Sequence, residues 1–217
     1  MTKDPNSLAI HSSDEQPGVI IVGAGTYGKV TFDILKLMGR RTIGFLDDNK
    51  IGGTFLGLPV LGSCEDYKKF SDNAFIVSLG DLYVRERVAT MMQGVSWVTP
   101  IHPQAIISTL GVEIGEGSVI MAGAVVNPDV EIGRHCAINT NSVVEHDNMI
   151  GDYSHISVGV QLAGRVTIGK RVWVGIGATV INDVSICDDC VIGAGAVVVR
   201  DIVEPGTYAG VPARRIK

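Results

Sequence analysis

Residues 131–169 read "EIGRHCAINTNSVVEHDNMIGDYSHISVGVQLAGRVTIG", with an aliphatic residue at every sixth position. The same spacing extends in both directions without interruption. A second small or β-branched residue follows most of these positions four residues later. A fixed internal period of this kind indicates a repeat architecture. Fifteen positions obey the six-residue count: Ile114, Ile120, Val126, Ile132, Ile138, Val144, Ile150, Ile156, Leu162, Ile168, Val174, Val180, Ile186, Ile192 and Val198.

Glycine adds a longer period to this pattern. It follows the aliphatic residue at positions 115, 133, 151 and 169, which are 18 residues apart. Three hexapeptides therefore make one coil, and short strands wound into a triangular prism bury one aliphatic side chain per face and coil. We predict a left-handed parallel β-helix over residues 100–217, with about five coils stacked at a strand spacing of ~4.8 Å.

The first part of the chain has the pattern of an α/β unit. A β-branched run, Val19 to Val22, leads through glycines into apolar residues at helical spacing, and a second strand follows at Thr42 to Leu46. A third strand is predicted at Ala74 to Leu79 and a helix at Leu82 to Met92. We predict a small Rossmann-like βαβ domain over residues 18–99. It is too short for a full dinucleotide-binding domain, which disfavours a hydride-transfer enzyme.

The turn after the first strand matches G-x-G-x-x-G at Gly23, Gly25 and Gly28. Glycines with this spacing allow a tight turn and a close backbone approach to phosphate at a helix N-terminus. Asp47 and Asp48 end the second strand, where such units place an acid near a ribose. The motif favours a nucleotide-type ligand over the alternative, a turn that only packs a helix on a sheet.

Composition narrows the classes of partner. The chain has 217 residues, 46% of them hydrophobic and 19% charged, with a formal net charge of −5 and no cluster of lysine and arginine. These values do not fit a nucleic-acid-binding surface, and no apolar run reaches the length of a membrane span. Residues 1–17 lack the features of a secretion signal, so we interpret them as a mobile or non-native tail and expect a cytoplasmic protein.

Cys187 and Cys190 form a C-x-x-C pair, which can indicate a redox or metal site. The chain has no second C-x-x-C. Both positions also fall on the hexapeptide that begins at Ile186, where Cys190 takes the small-residue slot. We therefore predict that Cys190 fills the interior of the prism.

Longer motifs are spread over both halves of the chain: "VGAGTYGKV", "GFLDD", "SLGD", "IHP" at 101–103, "INTNSVVEHD" at 138–147, "SHISVG" at 154–159, "LAGRVTIG" at 162–169 and "GVPAR" at 210–214. With these motifs, residues 19–217 resemble the NeuD/PglD family of sugar acetyltransferases. The resemblance implies a nucleotide-sugar-binding βαβ domain, an acetyl-CoA-binding β-helix and a homotrimer with active sites between subunits. It implies no metal.

The resemblance also assigns substrate-binding residues. One difference is visible in the glycine-rich loop, because the family pattern is G-x-G-G-H-G and this chain has Thr26 and Tyr27 at the fourth and fifth places. Asn139 matches a position near the acceptor sugar, although an asparagine is also well tolerated at a turn. The full set of substrate-binding candidates is Gly23, Gly25, Thr26, Tyr27, Asp47, Asp48, Arg85 and Asn139.

Acetyl transfer needs a base and a donor for the developing oxyanion. His146 stands at the third position of its hexapeptide, near a corner of the prism, and is the candidate base. Asp147 matches the acid that the family uses to orient the histidine, and Glu145 is the alternative. Gly164 lies 18 residues after His146, so it falls one coil further at the same corner. It matches a family glycine whose N–H holds the oxyanion.

His155 follows His146 by nine residues, which is half a coil. The two histidines are therefore on opposite sides of one prism and can meet only across a subunit interface. We expect His155 to bind acetyl-CoA in a site shared between subunits. The same counting places Trp173 one coil beyond His155, where the two rings can stack.

The predicted function is acetyl-CoA-dependent N-acetylation of a nucleotide-linked 4-amino-4,6-dideoxy sugar for surface polysaccharide or glycan. The close alternative is O-acetylation of a sialic-acid type of sugar. A metal-dependent carbonic anhydrase with His135, His146 and His155 is a third hypothesis, but the H-x4-H spacing expected for it is absent. The fourth is a sugar-nucleotide sensor without catalysis.

Overall fold

The computed structural model describes residues 16–217, so most of the predicted tail, residues 1–15, lies outside the described residues. The N-terminal unit contains two α-helices and a short 3-10 helix around one sheet. Its elements are β1 (Val19–Val22), α1 (Thr26–Leu37), β2 (Thr42–Leu46), β3 (Thr54–Phe55), β4 (Leu58–Gly62), the 3-10 helix (Cys64–Phe70), β5 (Ala74–Val77), α2 (Leu82–Met91) and β6 (Ser96–Trp97).

The sheet has the order β3-β4-β2-β1-β5-β6, and only β3 pairs antiparallel. All four residues of β1 are fully buried, as expected for a central parallel strand covered on both faces. The predicted bounds of β2 are confirmed. The hairpin β3–β4, the 3-10 helix and β6 are additional to the predicted elements.

The glycine-rich turn joins β1 to α1 as its spacing indicates. Gly23 has φ +112°, and a side chain there would meet the Ser78 carbonyl oxygen at 2.6 Å. A Cβ at Gly28 would overlap the carbonyl oxygen of Gly23, so helix and turn pack without space for a side chain. The predicted third strand ends two residues early, at Val77, because the chain turns before Asp81 caps α2 through the Val84 N–H.

The rest of the chain forms a parallel β-helix of short strands. They are β7 (Ile106–Ile107), β8 (Glu113–Ile114), β9 (Val119–Ile120), β10 (Val125–Val126), β11 (Glu131–Ile132), β12 (Ala137–Ile138), β13 (Val143–Val144), β14 (Met149–Ile150), β15 (His155–Ile156), β16 (Gln161–Leu162), β17 (Thr167–Ile168), β18 (Trp173–Val174), β19 (Thr179–Val180), β20 (Ser185–Ile186), β21 (Cys190–Ile192), β22 (Val197–Val198), β23 (Gly206–Ala209) and β24 (Arg214–Arg215).

The strands form three faces. The first face contains β7, β10, β13, β16, β19 and β22, and the second contains β8, β11, β14, β17 and β20. The third face runs from β9 through β12, β15, β18 and β21 to β23, with β24 at its edge. Within the repeats, paired residues are 18 apart, as in Val125, Val143 and Gln161. The predicted fold class, an α/β unit followed by a parallel β-helix of hexapeptide repeats, is confirmed.

The interior of the prism follows the hexapeptide pattern. Fourteen of the fifteen aliphatic positions belong to one buried cluster, and Ile114 packs against it. Cys190 is fully buried in the same cluster, which confirms the structural interpretation of this cysteine. Its Sγ lies 3.5 Å from that of Cys187.

The corners have a regular backbone conformation. A residue with positive φ recurs every six residues, and where it is not glycine it is mostly polar, as at Asp129, Asn141, Asp147 and Asp183. Short polar side chains tolerate this left-handed conformation better than most others. The sequence between the aliphatics thus encodes the corners of the prism.

Some interior slots hold polar residues that complete the bonding between coils. Ser154 Oγ donates to the Gly169 carbonyl oxygen at 2.7 Å and accepts from the Val172 N–H at 3.0 Å. Ser118 makes the equivalent bonds to Gly133 and Cys136. These two buried hydroxyls are tolerated because each one has partners on the next coil.

Helix α2 connects the two units. The guanidinium of Arg85 is 2% exposed and donates to the carbonyl oxygens of Leu79 at 3.0 Å and Tyr153 at 2.6 Å. Arg171 in the β-helix contacts Glu86 of α2 and binds Asp189 with two hydrogen bonds. No helix within residues 16–217 is long and apolar enough to cross a membrane.

Removing the Ser154 hydroxyl should destabilise the β-helix. Ser154→Ala leaves the buried Val172 N–H without its acceptor, so the free energy of unfolding should fall by about 1–3 kcal/mol. Ser185→Ala is the matched control, because Ser185 is exposed on its strand and its change should stay within about 0.5 kcal/mol. Urea unfolding of both variants measures the difference. Equal stabilities would contradict the structural role of Ser154.

The burial of His135 should make the free energy of unfolding depend on pH. Burial, and next Arg134, lower the pKa of His135 from 6.5 to about 4, so between these values the unfolded chain binds a proton that the folded chain does not. The free energy of unfolding must therefore fall as pH falls through this window. His135→Phe should reduce that slope by up to about 1.4 kcal/mol per pH unit. Denaturant titrations from pH 6.5 to 4.5 test this, and an unchanged slope would contradict it.

Candidate active site

His146 lies just after β13, at the corner between the first and second faces. Its position follows from the repeat, because Val144 occupies the interior slot and the third residue of each hexapeptide is at a corner. The side chain is 45% exposed, so one edge of the imidazole is open to solvent or to a ligand. The corner therefore presents a histidine on a rigid backbone.

Asp147 orients this histidine. Its Oδ2 is 2.6 Å from His146 Nδ1, and its backbone has φ +58°. Because Nδ1 faces a carboxylate, we assign the proton to Nδ1, which leaves the Nε2 lone pair free. Of the two acids considered, Asp147 is the one in contact with the imidazole. The Glu145 backbone joins the coil through bonds to Leu162 and Asn148.

Gly164 lies against the ring of His146, one coil further on. A Cβ placed on Gly164 would be 2.6 Å from Cε1 and 2.7 Å from Nε2 of the imidazole. The flanking N–H groups of Ala163 and Arg165 donate to the Val180 and His146 carbonyl oxygens. Within residues 16–217 the Gly164 N–H has no such acceptor. It is therefore free to donate to a ligand beside Nε2.

His155 belongs to a second group of predicted site residues. It begins β15 on the third face, where its ring stacks on Trp173 with centroids 4.2 Å apart, as predicted. Tyr27 lies 6.2 Å from it, centroid to centroid, and Asn139 Nδ2 is 3.3 Å from its Nε2. The structure thus separates His146, Asp147 and Gly164 from Tyr27, Asn139 and His155.

The second group is enclosed between the two units. His155 is only 4% exposed, and burial, with Arg85 as a second cause, lowers its pKa to about 3. Burial likewise raises the pKa of Tyr27 to about 12. Among the described residues, neither the Tyr27 hydroxyl nor His155 Nδ1 has a hydrogen-bond partner. The group is therefore an uncharged cluster of polar atoms with unused bonding capacity.

Arg85 is placed beside this cluster and not at an open surface. Its bonds go to main-chain carbonyl oxygens of both units, and burial lowers its pKa. In this single chain it links the units, and its contact with substrate stays a prediction.

The glycine-rich loop is organised by Asp47. Its Oδ2 accepts from the Ala24 N–H at 2.8 Å and its Oδ1 from the Asn49 N–H at 3.0 Å. Asp48 accepts from the Cys64 N–H at 2.8 Å, which connects the loop to the 3-10 helix. Gly25 and Thr26 are exposed at the start of α1.

Lys50, which lies in the turn between β2 and β3, contacts the glycine-rich loop and was not identified by the sequence analysis. Its ammonium donates to the Ala24 carbonyl oxygen and lies 4.8 Å from the centre of the Phe55 ring. No repeat or motif marks this lysine. Its closeness to Asp47 in the sequence was the one indication that it lies near the glycine-rich loop.

The three histidines of the carbonic anhydrase hypothesis do not come together in this chain. Among the described residues, no three His, Cys, Asp or Glu side chains are arranged to hold a metal ion. His135 is buried, with its ring stacked on Tyr153 at 5.5 Å and against Trp97 at 4.7 Å. The His135 side chain is thus packed among aromatic rings of its own chain.

Family models match both units. The PglD N-terminal domain matches residues 18–92, and the bacterial transferase hexapeptide (six repeats) matches residues 111–146 and 165–200. The chain is 34% identical over 102 residues to an uncharacterised protein of Acanthamoeba polyphaga mimivirus. That match includes 47% of this chain and spans about a fifth of the relative, 21%.

Solved structures match nearly the whole chain. A variant of GDP-perosamine N-acetyltransferase from Caulobacter crescentus, in complex with CoA and GDP-perosamine, is 35% identical and has a TM-score of 0.88, over 92% of this chain and 97% of that one. The acetyltransferase domain of PglB from Neisseria gonorrhoeae, in complex with acetyl coenzyme A, is 32% identical with a TM-score of 0.85, over 93% and 100%.

The hexapeptide repeats and the solved acetyltransferases that match them define a hexapeptide-repeat acyltransferase. WeeI from Acinetobacter baumannii shares the architecture, with 27% identity and a TM-score of 0.83 over 92% of this chain and 99% of that one. With these matches, the chain belongs to the NeuD/PglD family of sugar acetyltransferases.

A methyl group on Gly164 should disturb the site without unfolding the protein. Gly164→Ala places Cβ within 2.7 Å of His146 Nε2, so the imidazole must move and the rate of acetyl transfer should fall by about 10²-fold, as for other small displacements. Histidine NMR signals of His146 should shift, whereas the unfolding temperature should change little. Full activity with unshifted signals would contradict the contact.

Proposed function

We propose that the protein is an acetyl-CoA-dependent N-acetyltransferase that acts on the amino group of a nucleotide-linked 4-amino-4,6-dideoxy sugar. The observation that carries this proposal is the corner of His146, Asp147 and Gly164, which combines an oriented base with a free N–H donor. The relatives solved with CoA, acetyl-CoA and GDP-perosamine support both substrates. No resident metal is part of the proposal.

The residues can perform the transfer in one addition and one elimination. The amine attacks the thioester carbonyl carbon as His146 Nε2 accepts its proton, and the Gly164 N–H donates to the developing oxyanion. Asp147 stabilises the imidazolium that forms. When the intermediate collapses, the carbon–sulfur bond breaks, the imidazolium protonates the CoA sulfur, and the acetylated amine remains.

The N-terminal unit, residues 18–99 in this proposal, is assigned to the acceptor. Gly23, Gly25 and Thr26 would accommodate the nucleotide, with Asp47 at the ribose. Asp48 and Arg85 complete the proposed set, although their bonds within the chain are structural. Tyr27 and Asn139 would face the sugar. The β-helix, residues 100–217, is assigned to acetyl-CoA.

A homotrimer with active sites between subunits completes the proposal. The β-helix has large apolar side chains in solvent, including Ile106 and Ile176 at 65% and 62% exposure, and exposed apolar surface favours association. His155 would serve the acetyl-CoA of a neighbouring subunit. Within residues 16–217 its Nδ1 has no hydrogen-bond partner, which supports a further contact.

We further propose a cytoplasmic enzyme of surface polysaccharide or glycan biosynthesis. Acetyl-CoA turnover with UDP-, GDP- and dTDP-linked 4-amino sugars tests the activity, and the acetylated atom separates N-acetylation from O-acetylation. A sialic-acid type of sugar as the acceptor would favour the O-acetyltransferase alternative. Binding of nucleotide sugar without acetyl-CoA turnover would indicate a sensor.

Loss of the base should reduce the chemical step. His146→Ala should lower kcat by about 10²–10⁴-fold, the usual contribution of a positioned base, and leave the binding of CoA intact. Asp147→Asn keeps the shape but removes the charge that orients the ring, so its kcat should fall less. Steady-state kinetics with calorimetric CoA binding measure both effects. Full activity in His146→Ala would rule out this base.

A further inference from the structure

We propose that Lys50 is a substrate-positioning residue that pairs with the diphosphate of a nucleoside-diphosphate sugar. The inference rests on the proposed function and deepens it, since it names the class of linkage in the acceptor. It concerns a residue outside every motif identified in the sequence.

The ammonium group of Lys50 lies at the glycine-rich turn. Lys50 is exposed, and its Nζ is held at the Ala24 carbonyl oxygen, in the middle of the glycine-rich turn. Its position over the face of Phe55 adds a cation–π contact. Two independent contacts thus direct this flexible side chain to the loop that opens α1.

The charge of this ammonium is not neutralised by an ion pair among the described residues. The ion pairs found within residues 16–217 do not include Lys50. The neighbouring acids are engaged elsewhere, Asp47 by the Ala24 and Asn49 N–H groups and Asp48 by the Cys64 N–H. The partners of the ammonium are therefore the Ala24 carbonyl oxygen and the Phe55 ring, neither of which is an anion. The ammonium can bind an anionic ligand.

The backbone next to the ammonium is the N-terminus of helix α1. Helix α1 has twelve residues, no side-chain cap at its N-terminus and no acid in its first turn. Its first internal bond runs from the Lys29 N–H to the Gly25 carbonyl oxygen, which leaves the earlier N–H groups available. A side chain on Gly25 would meet nothing within 4 Å, so a ligand has open access.

Together these features distinguish a diphosphate from a single phosphate. One phosphate can bind the N–H groups of the first turn, while a second phosphate extends to the ammonium, which acts as a point charge. A nucleoside monophosphate supplies only the first of these contacts. The lysine therefore favours an acceptor carried on a diphosphate, as opposed to a sugar on a monophosphate.

Calorimetric titration of the full chain tests this with two sets of probes. GDP, UDP and dTDP are compared with GMP, UMP and dTMP in the wild type and in Lys50→Met, which keeps the aliphatic stem over Phe55. The best diphosphate should bind about tenfold more weakly to Lys50→Met, as expected for one charge-assisted contact, and monophosphate binding should change little. Lys50→Arg should restore most of the loss.

Lys36→Met is the matched control, because Lys36 is an exposed lysine in the last turn of the same helix. It should bind every probe like the wild type. In the transfer assay, Lys50→Met should raise the KM for the nucleotide sugar about tenfold with little change in kcat or in the KM for acetyl-CoA.

The outcomes separate the two proposals. Unchanged diphosphate binding in Lys50→Met, or an equal loss for monophosphates and diphosphates, overturns the role of Lys50 while the acetyltransferase activity stands. If no nucleotide-linked amino sugar is acetylated by the wild type, the proposed function fails. The binding data still report whether the lysine contacts a diphosphate.

Discussion

The main-chain hydrogen bonds between successive coils are the constraint on which this structure depends. Each coil of the β-helix donates to the next at the same lateral position, as when the Val143 N–H binds the Val160 carbonyl oxygen. Between Glu113 and Val198 these bonds pair residues that are 18 apart, and an extra residue within a strand would shift the following side chains relative to their partners. The uninterrupted hexapeptide count from Ile114 to Val198 reflects this requirement.

The same constraint builds the candidate site. Because residues 18 apart are lateral neighbours at one strand spacing, the environment of a corner side chain is decided by its equivalents on adjacent coils. His146 can lie flat on the prism because Gly164 offers no side chain there. Asp147 follows in the left-handed conformation that the corner demands, which brings its carboxylate to Nδ1. The geometry of this candidate site thus follows from the repeat.

Where the structure follows a period, the sequence was sufficient to predict it. The 18-residue coil, the closeness of His146 and Gly164, and the stacking of His155 on Trp173 are all consequences of counting. The hairpin β3–β4 and strand β6 were not predicted, because strands of two to five residues contain too few positions for alternation to be recognised. Lys50 was missed for a similar reason, as a single loop residue belongs to no period.

The docking of the two units was also beyond the sequence pattern. Arg85 and His155 were expected to bind substrate and acetyl-CoA, and both are buried where the N-terminal unit packs on the prism. Neither the helical period of α2 nor the hexapeptide count contains information about which corner the helix contacts. The contact depends on side chains from both units, such as Arg171 with Glu86 and Tyr83 with Asp189.

This docking has a consequence for catalysis. The glycine-rich loop is tied to the β-helix at His155, because Tyr27 at the start of α1 packs on that ring, and Arg85 bonds both units beside it. His146 lies half a coil away, on the other side of the same prism. Transfer requires the reacting atoms to approach within about 3–3.5 Å, so this placement of the loop favours the proposed active site between subunits over one within a single chain.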